Sequence, residues 1–229
     1  MKRLVIIPAY NEEANIVNTV RALEKEAPEF DYIIINDCST DSTGDICDRN
    51  HFHVIHLPVN QGIGGAVQTG YLYGYRNGYD EAVQIDGDGQ HDPAFLVKMA
   101  QCMEKEGADM VIGSRFIEKQ GFQSSGMRRL GIRYFSWLIA FLTGTRITDP
   151  TSGLRLVNRD VMGIFAKSYP KDYPEPESTV AIICQGKKVK EIPVIMKERQ
   201  GGVSSISPRK SIYYMIKVTL AILMEKIRH

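Results

Sequence analysis

Two carboxylates one residue apart, Asp86 and Asp88, stand in the run Val83-Gln84-Ile85-Asp86-Gly87-Asp88-Gly89-Gln90-His91-Asp92-Pro93. A pair of hard oxygen donors suits Mg²⁺ or Mn²⁺. Such cations are commonly held by one or two carboxylates together with the phosphates of a substrate. The same residues also compose an ordinary solvated Asp-Gly turn, and on these residues alone both readings stay open. What flanks the pair fixes its place. Ala82, Val83 and Ile85 read as a short buried strand. Pro93 opens a helical pattern through Phe95, Leu96, Met99 and Met103, with Asp92 as its N-cap. The pair therefore sits at the carboxyl end of a strand, the rim at which open α/β sheets bind ligands.

Other strand ends supply further candidates. Leu4-Val5-Ile6-Ile7 is a continuous apolar run, as expected of a strand buried on both faces. It leads to Pro8-Ala9-Tyr10-Asn11-Glu12-Glu13, with Asn11 as the expected N-cap of a helix faced by Ile16, Val17, Val20 and Leu23. No GxGxxG follows, which disfavours a dinucleotide fold. Tyr32-Ile33-Ile34-Ile35 ends at Asn36-Asp37, and Asp41 or Ser42 can cap the next short helix. Asp37 can accept hydrogen bonds from a base or ribose, or simply cap a turn. Gly62, Gly64 and Gly65 open a helix running to about Tyr75. They either expose backbone N–H groups to an anion or allow close helix–sheet packing. Ala108-Asp109-Met110-Val111-Ile112 is another strand, and Arg115 emerges at its end. His51, His53 and His56 read as edge histidines rather than metal ligands.

Composition bounds the rest. The chain has 229 residues, 43% hydrophobic and 24% charged, enough to bury a substantial core as one α/β domain. A net charge of +1 provides no field to draw nucleic acid. The cysteines Cys38, Cys47, Cys102 and Cys184 form no CxxC pair, which fits a reducing cytosol. The first apolar run is too short for a signal peptide, and no long uncharged stretch reads as a membrane span.

Taken in order, Pro8-Ala9-Tyr10-Asn11-Glu12-Glu13, Asn36-Asp37-Cys38-Ser39-Thr40-Asp41, Asn60-Gln61-Gly62-Ile63-Gly64, Asp86-Gly87-Asp88-Gly89-Gln90, Gly113-Ser114-Arg115, Asp149-Pro150-Thr151-Ser152-Gly153-Leu154-Arg155 and Arg199-Gln200-Gly201-Gly202-Val203-Ser204 resemble a family 2 glycosyltransferase of GT-A fold. The likeness is to the polyprenyl-phosphate sugar synthases, of the dolichyl-phosphate mannose and undecaprenyl-phosphate glucose type. It covers residues 1 to about 208. It implies a mostly parallel central sheet flanked by helices. The catalytic domain would span 1–208, and a C-terminal amphipathic helix 209–229. Pro8, Ala9, Tyr10, Glu12, Asp37 and Gly62 would line the donor nucleotide. Asp86 and Gly87 would lie near ribose and diphosphate, Asp88 would ligate the metal with Asp86 beside it, and Gln90 would face a phosphate. Arg199 would meet a phosphate as part of the catalytic set.

The acceptor side falls in the middle of the chain. Residues 126–144 read as a helix with Leu130, Tyr134, Trp137, Leu138 and Phe141 in an apolar stripe. Arg128, Arg129 and Arg133 beside it suit a phosphate, as does Arg115. Ser204 belongs to the same acceptor set. One departure from the resembling family is Ser205, where a lysine is usual. Residues 211–228 read as one strongly apolar helix bearing Lys217. It would serve as an in-plane membrane anchor, as a contact for a small membrane protein or a second copy, or as a packed terminal helix.

The resemblance implies a metal-dependent inverting transfer at the cytoplasmic face of the membrane, from a nucleotide-sugar to a polyprenyl phosphate. A UDP-sugar stands ahead of GDP-mannose as donor. An anionic phosphate acceptor needs no strong base. A hydroxyl on a lipid-linked or surface glycan does, and Asp149, then Glu177, are the candidates. A catalytically silent nucleotide-sugar-binding module and a sugar nucleotidyltransferase are the alternatives of other classes.

Overall fold

The computed structural model describes residues 1–121, 126–196 and 208–228. Its sheet is built on β1 (Arg3–Ala9), where Leu4 and Ile6 face one side and Val5 and Ile7 the other, all fully buried. A strand covered on both faces needs apolar residues at consecutive positions, which is why 4–7 form an unbroken run. β2 (Phe30–Asn36) and β4 (Glu81–Gln84) flank β1 in parallel, and β3 (Val54–His56) lies outside β2. β5 (Met110–Ser114) and β7 (Val189–Pro193) pair in parallel. β6 (Arg155–Asn158) runs antiparallel between β4 and β5. The order across the sheet is β3-β2-β1-β4-β6-β5-β7. The sheet is mostly parallel, as expected. The reversed strand is short and begins with arginine, so it carries no apolar run of its own.

One face is covered by α1 (Ile16–Glu26), α2 (Thr43–Arg49) and α4 (Ala94–Glu106). The other carries α3 (Gly62–Arg76), α6 (Arg159–Lys167), α7 (Pro174–Cys184), α5 (Gly126–Thr143) and α8 (Pro208–Arg228). α3 lies close to its neighbours. A Cβ on Gly70 would fall 2.2 Å from Ile6, and one on Gly64 would fall 2.1 Å from the Pro170 carbonyl oxygen. Gly64 therefore serves close packing, whereas Gly62 has φ +75° and open space around it. α8 joins the same core through Val218 and Ile222. Among the described residues no helix is long and apolar enough to cross a membrane.

Candidate active site

The carboxyl ends of β1, β2 and β4 converge. Asp37 N–H donates to the Ala9 carbonyl (2.9 Å), and Asp37 Oδ1 accepts from Gln61 N–H (2.7 Å). Buried Asp37 thus joins the ends of β1 and β2 to the loop before α3. Tyr10 stands at the rim, 48% exposed. Asn11 does not cap α1, which starts only at Ile16. Its backbone is left-handed (φ +56°), and its Oδ1 accepts from Thr40 N–H at 2.8 Å. Thr43 Oγ1 takes Glu12 N–H (2.8 Å), and Glu12 Oε2 accepts from Asn15 Nδ2 at 2.9 Å. The asparagine is spent on stitching two loops together, so the helix begins one turn later than expected.

Asp86 lies opposite Pro8, because β4 pairs Gln84 with Ile6. A Cβ on Gly87 would sit 3.1 Å from the Pro8 carbonyl oxygen, and one on Gly153 would sit 3.3 Å from Asp86 Oδ1. The Asp86 side chain is 37% exposed, while Asp88 is buried and its Oδ1 accepts from Gln90 N–H at 3.1 Å. His91 was not singled out by sequence, yet it is built into this turn. Its Nδ1 accepts from Asp86 N–H at 3.0 Å, which leaves the ring proton on Nε2. That buried Nε2 has no hydrogen-bond partner among the described residues and lies 3.9 Å from Asp86 Oδ2. Among the described residues no three His, Cys, Asp or Glu side chains form a metal cage. Asp86 and Asp88 carry hard oxygen donors on one turn. That donor set fits a divalent cation whose remaining positions are filled by phosphates and water.

Asp149 and Arg115, the expected base and acceptor contact, come together as an ion pair. Arg115 Nε donates to Asp149 Oδ2 (2.6 Å), and Nη2 donates to Oδ1 (2.7 Å). Both side chains are almost fully buried. Thr151 Oγ1 donates to the same carboxylate at 3.2 Å. Glu191 on β7 accepts the backbone N–H groups of Thr148 (2.7 Å) and Asp149 (2.9 Å), which fixes the loop. The bidentate guanidinium thus occupies both oxygens of the carboxylate. Asp149, expected as a base, and Arg115, expected as an acceptor contact, are held against one another as a buried ion pair inside the scaffold.

The acidic pair on α7 divides between two surroundings. Residues two apart on a helix point roughly 200° apart. Glu177 lines a cavity of about 240 Å³ with Ser168, Tyr169, Glu225 and Arg228, on the α6–α8 side. Its electrostatic neighbours are Glu225, Lys217 and Asp172. Burial pushes the Glu175 carboxyl above the ordinary carboxylate value; Arg155 opposes that shift, and Asp86 adds to it. Arg155 is fully buried and donates to the carbonyls of Ser152 (2.7 Å) and Pro150 (2.9 Å) and to Ser178 Oγ (2.9 Å). It clamps the 149–153 loop to α7 beneath Glu175.

On the far side of that loop, Lys119, Arg129, Arg133 and Arg146 line a cavity of about 450 Å³ with Phe116, Ile132, Ser136 and Thr148. No carboxylate lines it among the described residues. Arg129 and Arg133 were expected acceptor contacts; Lys119 and Arg146 were not singled out. Arg128 stands apart from this lining, exposed, yet near enough to sense Arg115, Asp149 and Glu175. Arg199 and Ser204 lie outside the described residues.

The model of glycosyl transferase family 2 matches residues 4–164. An undecaprenyl-phosphate mannosyltransferase of Micrococcus luteus is 32% identical, with 90% of this chain and 88% of that protein covered. A polyprenol monophosphomannose synthase of Mycolicibacterium smegmatis is 31% identical over 95% of this chain and 85% of its own. A UDP-N-acetylglucosamine–dolichyl-phosphate N-acetylglucosaminyltransferase of Methanococcus voltae is 30% identical, covering 83% of both. In fold, the chain is similar to glucosyl-3-phosphoglycerate synthase of Mycobacterium tuberculosis crystallised with Mn²⁺, UDP-glucose and phosphoglyceric acid. The TM-score is 0.73 at 19% identity, over 98% of this chain and 79% of that one.

Proposed function

The chain belongs to glycosyltransferase family 2, and on that premise we propose that it transfers a sugar from a nucleotide-sugar to a polyprenyl phosphate, with inversion at the anomeric carbon. The observation that carries the acceptor class is the cavity of four cationic side chains and no described carboxylate, one residue along the loop from Asp149. Guanidinium groups converging without a counter-charge suit a phosphate monoester. A UDP-sugar is the donor of this reading. GDP-mannose is the competitor, because two of the relatives are named for mannose. The acceptor places the enzyme at the inner face of the membrane, as a peripheral protein.

The protein's own groups divide the work. Asp37, Tyr10 and Pro8 bound the space for base and ribose. Asp86 and Asp88 would hold Mg²⁺ or Mn²⁺ against the donor diphosphate, with Gln90 facing a phosphate; when bound, the cation offsets the charge that develops on the leaving nucleoside diphosphate. The Arg115–Asp149 pair and Arg155 keep the 149–153 loop against Asp86, so the acceptor side meets the donor at a fixed height. The cavity cations orient an acceptor oxygen that is already anionic, which attacks the anomeric carbon without surrendering a proton.

A second reading has one observation of its own. Glu175, a carboxyl that feels the charge of Asp86, would serve as base if the acceptor were a sugar hydroxyl. The deciding experiment supplies polyprenyl phosphate and labelled UDP- or GDP-sugars with Mn²⁺ or Mg²⁺, with Asp88→Ala as control. A lipid-phosphate-linked sugar that disappears in the variant supports the first reading. Label transferred only to hydroxyl acceptors overturns it. Nucleotide binding with no transfer to either acceptor leaves a silent binding module.

A further inference from the structure

α5 and α8 lie side by side and run in the same direction. Met215 packs where a Cβ on Gly131 would sit, and Tyr134 Oη meets Thr219 Oγ1 at 3.2 Å one turn on. Each helix buries one side in the core, through Phe135 and Ile139 on α5 and Val218 and Ile222 on α8. Each leaves an apolar stripe outward. On α5 this is Leu130, Trp137 (61% exposed) and Phe141 (72%), with the Trp137 and Phe141 rings stacked at 5.6 Å. On α8 it is Ile216, Leu220 (55%) and Met224 (70%). Helical phase places both stripes on the same side of the Tyr134–Thr219 seam. Across α5 from that seam, the next residues round the helix are Arg129 and Arg133, which open into the cationic cavity. An unbroken apolar face edged by cations and carrying an aromatic pair fits a lipid–water interface.

We propose that the joined outer face of α5 and α8 rests on an anionic bilayer, with the Lys119/Arg129/Arg133/Arg146 cavity opening at headgroup level. The charge pattern selects the occupant: Arg129 and Arg133 at its margin attract anionic headgroups, while the rings and aliphatic side chains enter the acyl boundary. The helices lie in the plane, since no described helix can span the bilayer. The inference rests on the lipid-phosphate reading for its purpose, but vesicles without acceptor or donor test it separately.

Trp137 is the only tryptophan in the chain, so its emission reports this face alone. The full chain is titrated with vesicles of phosphatidylglycerol and phosphatidylcholine, then with phosphatidylcholine alone. A blue shift and protection from iodide with the anionic vesicles, weakened by salt, is the expected result. Phe141→Glu combined with Leu220→Glu should lower vesicle partitioning by about tenfold or more, with UDP binding and melting temperature kept as evidence of folding. Emission unmoved by either vesicle overturns the proposal. So does a blue shift that follows protein concentration without lipid, which would make the occupant a second copy. Transfer to a short, water-soluble polyprenyl phosphate in vesicle-free buffer tests the acceptor reading by itself.

Discussion

Replacing Asp149 by Asn separates an anchor from a base. The side chain is fully buried against a guanidinium only 5% exposed, through two charge-assisted bonds of 2.6 and 2.7 Å. Asparagine keeps one acceptor but turns an amide N–H₂ toward Arg115 and leaves the cation unpaired. Removing one partner of a buried pair costs about 3–5 kcal/mol. For a chain of this size each kcal/mol lowers the melting temperature by about 2–4 °C, so the fall is about 6–20 °C. Replacing the whole pair, Arg115→Met with Asp149→Leu, removes both charges and should recover most of that loss. The assay is thermal unfolding followed by circular dichroism, with turnover measured well below each variant's transition. An exposed base would behave in the opposite way: turnover would fall by about 10²–10⁴-fold with little change in melting. A melting temperature within 2 °C of wild type (roughly 1 kcal/mol or less) would refute the anchor reasoning.

Other changes read different parts of the site. Gly64→Ala sets a methyl against the Pro170 and Lys171 carbonyls, which as backbone cannot give way. It should cost about 1–3 kcal/mol in urea titrations, more than Gly62→Ala, whose cost is backbone strain alone. His91→Phe removes the acceptor for Asp86 N–H; a buried unsatisfied amide costs about 1–3 kcal/mol. Mn²⁺ affinity followed by electron paramagnetic resonance should fall with it, and His91→Asn should restore part. Chelation should stop turnover and Mn²⁺ should restore it in wild type, whereas Asp88→Ala should recover little at any Mn²⁺ concentration.

The sequence announced what short range controls. Consecutive apolar residues marked β1 and β2, and Gly107 closed α4 with φ +58°, as a C-cap glycine does. The Asp86–Asp88 turn fell at a strand end because strand and helix signals bracket it closely. Contacts between distant segments stayed hidden. Asp149 looks like a loop carboxylate until Arg115, 34 residues earlier, and Glu191, 42 later, close on it. Arg155 reads as a motif residue, and only the packing of α7 makes it a clamp on Ser178. Glu175 and Glu177 meet different surroundings because helix phase depends on how α7 meets the sheet. Tyr173 enters that helix from a left-handed backbone (φ +51°), which local propensity does not forecast for a tyrosine.

Glu175 can decide the acceptor, because its two roles need opposite protonation states. Burial raises its pKa chiefly, Asp86 adds to this, and Arg155 opposes it. A dianionic phosphate arriving nearby raises it further, so the neutral acid is the form compatible with a phosphate acceptor and can donate a hydrogen bond to it. A base for a hydroxyl must be ionised. The stability sign follows from the raised folded pKa. The contribution of this carboxyl is full below its ordinary value and is lost as pH rises through the raised one. Glu175→Gln should therefore be stabilised relative to wild type at pH 7 and nearly matched to it at pH 4, in parallel thermal melts. Turnover then discriminates. With a phosphate acceptor, the glutamine variant keeps most activity and loses the decline that wild type shows as Glu175 ionises. With a hydroxyl acceptor, wild type rises through the same pH range and the variant falls by about 10²–10⁴-fold. Loss of that size with polyprenyl phosphate as acceptor would contradict a proton-free attack and return the chemistry to general base catalysis.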